Sequence, residues 1–142
     1  MSEKLLSADD LRGIMDNIRM AKVQEQFTRA RKEEEKRALH DAFFARDIDP
    51  DVRARVNAVV KRAAEQGLRE TQVLTFPASY CNDQGRRINN AEPDWSASLE
   101  GFAEKAHAFF EAELKPLGFR ARAQILNYPD GRLGDVGLFL SW

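Results

Sequence analysis

With one cysteine and two histidines in 142 residues, the chain lacks the means for an internal disulfide, and no Cys/His group has zinc-ligand spacing. No run approaches the roughly 18 consecutive apolar residues of a membrane span, and the opening MSEKLLSADDLRGI has no signal-peptide core. A reducing cytoplasm is the simplest setting for such a chain. Charge of one sign is also lacking, because 22 basic residues stand against 23 acidic ones, for a net charge of -1. No global field draws in nucleic acid or an anionic membrane, so both rank below proteins as partners. P-loop, G-x-S-x-G, H-E-x-x-H and EF-hand patterns are absent as well. Nothing in the sequence calls for a metal or a cofactor, and a non-enzymatic role is favoured over an enzymatic one.

Proline is missing between Ala8 and Arg46, and Gly13 is the only glycine there. Ser7 and Asp10 have the spacing of a capping box, and Asp9 and Asp10 suit the positive end of a helix. One long helix is expected from about Ala8. Its apolar positions run Leu11, Ile14, Met15, Ile18 and Ala21, then Val23, Phe27 and Ala30, a slightly shifted stripe. Residues 31–37 (RKEEEKR) are charged on every face, and apolar character returns at Leu39, Phe43 and Phe44. About 38 helical residues span roughly 57 Å, whereas a body made of the rest would be about 30 Å across. Such a helix must break, project or pack on another chain. Residues 1–47 are therefore read as an arm for oligomerisation or partner docking, with Leu11, Ile14, Ile18, Val23 and Phe27 as contact residues.

The fold class expected for the whole is α+β: the long N-terminal helix and a second helix, then a β-loop-α-β-β body over 48–142 whose small sheet ends in an antiparallel hairpin. Asp49 and Pro50 look like the cap and first residue of the second helix, with Val52, Val56, Val59, Val60 and Ala63 as its apolar face and Gly67 as its stop. RETQVLTFP (69–77) reads as a strand. A third helix capped by Asp94 or Ser96 should carry Leu99, Phe102, Ala103, Ala106, Phe109, Phe110 and Leu114 on one face. FRARAQILNY (119–128) and DVGLFLSW (135–142) complete the sheet, joined by the turn residues of YPDGRLGD.

Residues 77–95 (PASYCNDQGRRINNAEPDW) have neither helical nor strand period and exceed the usual connection of about two to six residues. Tyr80, Cys81, Ile88 and Trp95 give this loop apolar anchors, so order is expected. Its polar groups admit two readings. Asn82, Asp83, Arg86, Arg87, Asn89 and Asn90 can form a site for a small anionic ligand, with the arginines clamping a carboxylate or phosphate. The same groups can instead satisfy one another, Asn and Asp closing turns and an arginine pairing with Asp83, Glu92 or Asp94. Cys81 reads as a buried thiol, since no local signature joins it to His40 or His107, and His107 reads as a half-buried packing residue. Glu113 is expected to reach solvent or pair with Arg120 or Arg122. Two functions remain: association through the helices with the loop as a recognition surface, or ligand binding in the polar loop 80–94.

Overall fold

The computed structural model describes residues 3–142, so the first two residues of the expected arm lie outside it. The chain divides into two units, one ending at Asp41 and one spanning Ala42–Trp142.

The first unit is helical. Helix α1 (Ala8–Ala45) begins where the capping box closes: the Ser7 amide donates to the Asp10 carboxylate at 2.9 Å and the Asp10 amide to Ser7 Oγ at 3.0 Å. Donation from the Ser7 amide holds the Asp10 carboxyl below its usual range. The helix runs 38 residues without a break, and every residue from 8 to 42 is exposed. Its charged middle is served by pairs within the helix, Arg29 with Glu25 at 3.6 Å and Lys36 with Glu33 at 3.9 Å. Continuity also corrects the single shifted stripe. At 100° per residue, Val23, Phe27 and Ala30 lie about 140° around the axis from the centre of Leu11, Ile14, Met15 and Ile18, so there are two separate apolar faces.

The second unit opens with the last turn of α1, because Phe43 packs on Phe76, Tyr80 and Phe102 at ring separations of 5.4, 4.9 and 6.2 Å. Arg46 then stacks on Phe102 at 3.9 Å, and Lys105 holds both the Arg46 carbonyl and Asp47. Helix α2 (Val52–Glu65) starts later than its apparent signal. The Asp49 carbonyl accepts from the Val52 amide across a turn, and the Asp49 carboxylate pairs with Arg55 at 3.0 Å instead of capping. The expected stop is in place: Gly67, at φ +80°, sends its amide to the Ala64 carbonyl while the Leu68 amide reaches Ala63.

Strands β1 (Glu70–Pro77), β2 (Arg120–Ile125) and β3 (Asp135–Ser141) form an antiparallel sheet in the order β1-β3-β2. The chain is α+β, and the last strand lies in the middle. The reason is its composition: Val136, Leu138 and Leu140 are buried and flanked by half-buried Phe139, whereas the edge strands carry Glu70, Gln72, Arg120, Arg122 and Gln124. β1 and β2 thus run parallel to each other with β3 between them, a split β-α-β arrangement. On the outer face Arg122 lies over the Phe139 ring at 4.2 Å and grips Glu70 through bonds of 2.5 and 2.6 Å, a strap across the central strand. The opposite face places Val136 and Leu138 against Leu99, Ala103 and the loop residues Cys81 and Ile88.

Two expectations about the connection to β2 change. The loop contains a short helix, α3 (Arg86–Asn89), followed by a 3-10 turn at Trp95–Ser98. The third long helix, α4 (Gly101–Phe109), is not capped by Asp94 or Ser96, and Leu99 is an extended, buried residue before it. Gly101 makes this entry feasible, because at φ +60° a Cβ would lie 3.1–3.2 Å from Phe43 and Phe44. After Phe109 the helix widens into a π turn, Phe110–Leu114. Glu113 pairs neither with Arg120 nor with Arg122; it accepts from Arg53 at 2.8 Å, joining this turn to α2.

Candidate functional site

In the loop, the Asp83 carboxylate accepts from the amides of Gly85 and Arg87, both at 3.0 Å, and this closes the entry to α3. Gly85 sits at φ +87°, with Ala78 so near that a Cβ would fall 3.0 Å from it. Arg87 lies amid three carboxylates, Asp94 at 3.3 Å and Asp83 and Glu92 at 3.9 Å. Asn82 Nδ2 donates to the Ala97 carbonyl at 2.9 Å, and Asn89 Oδ1 accepts from the Tyr128 hydroxyl at 3.0 Å. Arg86 and Asn90 are exposed.

The six candidate residues are neighbours along the loop; Asp83 and Arg87 spend their polar groups within it, whereas Asn82 and Asn89 bond outside it, to the Ala97 carbonyl and the Tyr128 hydroxyl. With three carboxylates within 4 Å, the positive charge of Arg87 is partly offset, which makes it a weaker centre for a phosphate than an unpaired arginine. The loop is also anchored, since Cys81 and Ile88 belong to the core and Tyr80 and Trp95 pack against it. Burial pushes the Cys81 thiol up to about 11, so it is protonated at neutral pH and poorly nucleophilic. Among the described residues no group of three or more His, Cys, Asp or Glu side chains has the arrangement to hold a metal ion, and no helix is long and apolar enough to cross a membrane.

Two other features of the surface and interior draw attention. Leu11, Ile14 and Ile18 on one face of α1, and Val23 and Phe27 on the other, are 46–68% exposed. Within the second unit, a cavity of about 150 Å³ lies between α2, α4 and the sheet. Val52 and Val56 line it from α2, Phe102, Phe110 and Leu114 from α4 and the π turn, and Leu138 and Leu140 from β3. Its polar side chains are few: the lining has no charged residue, and His107 and Trp95 bring the ring nitrogens. The His107 ring meets Trp95 edge-on at 5.5 Å and Phe110 at 5.9 Å. Burial holds the imidazole below its usual pKa, with nearby Lys115 acting in the same direction and Glu111 opposing.

The cavity was not legible in the sequence, because its walls are ordinary helix and strand apolar positions whose convergence depends on strand order. The one available signal was His107 beside the apolar stripe of α4.

No family model, curated protein or solved structure matches this chain.

Proposed function

We propose that this chain works by association, pairing with further copies of itself through α1, in the reducing cytoplasm where its lone thiol stays reduced. The observation that carries the reading is the 38-residue helix with no buried residue and two exposed apolar faces. Isolated helices draw little stability from propensity and most of it from burying an apolar face, so a helix this long calls for a covering partner. Self-pairing suits its charge, because Arg31 and Lys32 directly precede Glu33, Glu34 and Glu35 and offer both signs to an identical helix.

Magnitudes set the strength of the contact. Fully burying a large apolar side chain stabilises by about 1.5–3 kcal/mol, so a half-exposed one yields roughly 1 kcal/mol, against an association cost of about 4–15 kcal/mol. One face contributed by two chains barely offsets that cost. Using both faces makes a stable assembly, and faces this far apart favour a helix flanked on two sides over a simple pair.

Sedimentation of the full chain across a concentration series tests this. Concentration-dependent assembly is expected, weakened by Leu11→Ser with Ile18→Ser and separately by Val23→Ser with Phe27→Ser, with the circular dichroism of the second unit retained. A monomer throughout the series would overturn self-association, and retention of a different protein in native mass spectrometry would reassign α1 to that partner.

A further inference from the structure

We propose that the cavity between α2, α4 and the sheet is a binding site for a small uncharged aromatic molecule of about one ring. Size is the first argument. Its volume of about 150 Å³, in a cavity partly open to solvent, is the size at which apolar protein cavities take up benzene, and it is below the several hundred Å³ that drug-sized ligands occupy. Water is a poor occupant, because it needs about two to four polar partners, and the side-chain lining offers only the ring nitrogens of His107 and Trp95. His107 Nε2 also has Glu111 3.6 Å away.

Charge is the second argument. Val52, Val56, Phe110 and Leu140 contribute no formal charge, and the depressed basicity of His107 keeps that group neutral at physiological pH. A carboxylate or ammonium guest would lose its hydration without an ion to replace it. The rings supply the third. Trp95, His107 and Phe110 are arranged edge-on and tilted to one another, the geometry in which a further ring gains beyond simple burial. Phe110 opens a π turn, an irregularity that recurs at functional sites and that widens the helix where it borders the cavity.

Titrating benzene into ¹⁵N-labelled full-length protein tests the site, with the indole N–H of Trp95 as the reporter and that of Trp142, which does not line the cavity, as the internal control. Saturable shifts at Trp95 and at the Val52 and Val56 amides are expected, with Trp142 unmoved and benzoate inactive at equal concentration. Ala106→Leu or Ala121→Leu, which fill the cavity from α4 or β2, should weaken benzene at least tenfold. Absence of a saturable shift up to the solubility of benzene overturns the proposal. So do equal shifts at Trp95 and Trp142, equal binding of benzoate, or undiminished binding in a folded filled variant. If the filled variants do not fold, the wild-type comparisons decide it alone.

Discussion

Replacing Asp83 with alanine removes the acceptor of two backbone amides, Gly85 and Arg87, each held at 3.0 Å. A hydrogen bond to a charged group contributes about 1.5–3 kcal/mol when shielded, and deleting a helix-capping side chain costs about 0.5–2 kcal/mol. The Asp83 side chain is 18% exposed, so water recovers part of the loss and a total near 2–3 kcal/mol follows. That is a large share of a domain stability of about 5–15 kcal/mol. With a urea dependence of about 1–3 kcal/mol per molar, the midpoint should fall by roughly 1 M. Asp83→Asn keeps one acceptor oxygen and should recover about half of the loss. Arg86→Ala, at an exposed neighbour in the same turn, should change stability by less than about 0.5 kcal/mol. Equilibrium urea unfolding by fluorescence and circular dichroism measures all three. Should Asp83→Ala cost no more than Arg86→Ala, the loop is not held by its own polar groups, and the case against an anion site there collapses.

Gly85→Ala should cost about 2–4 kcal/mol, combining a left-handed backbone with overpacking on buried Ala78. Gly131→Ala, at φ +74° with nothing within 4 Å, should cost only the backbone part, about 1 kcal/mol; equal thermal shifts for the two would refute the close contact. His107 binds a proton less readily folded than unfolded, so its contribution to stability is present above the unfolded value of about 6.5 and is lost as pH falls through the lower folded one. His107→Gln should flatten the fall in melting temperature over that window, and an unchanged profile would place the ring in water. Cys81 should react with a disulfide reagent only as fast as the protein opens, and rapid stoichiometric labelling in native buffer would contradict its burial.

Local signals in the sequence determined the elements. The Ser7–Asp10 pair started α1, Gly67 stopped α2, and the alternation of Val136, Leu138 and Leu140 marked β3, because caps, glycines and side-chain periods act over three or four residues. The anchors of the loop were legible for the same reason, since Cys81 and Ile88 had no other way to leave water. Where two local signals competed, the sequence misled. Asp49 and Asp94 both looked like caps, but Arg55 claims the first and Arg87 the second. Only the tertiary structure decided that Asn89 meets Tyr128, that Glu113 meets Arg53, and that the final strand is central. Each of those depends on pairings across tens of residues, which no local period encodes. The two faces of α1 followed from its continuity, because angular offsets along a helix add up only if the helix does not break. The cavity is the furthest from the sequence: it is a space, set by how α2, α4 and the sheet fail to close over the side chains between them.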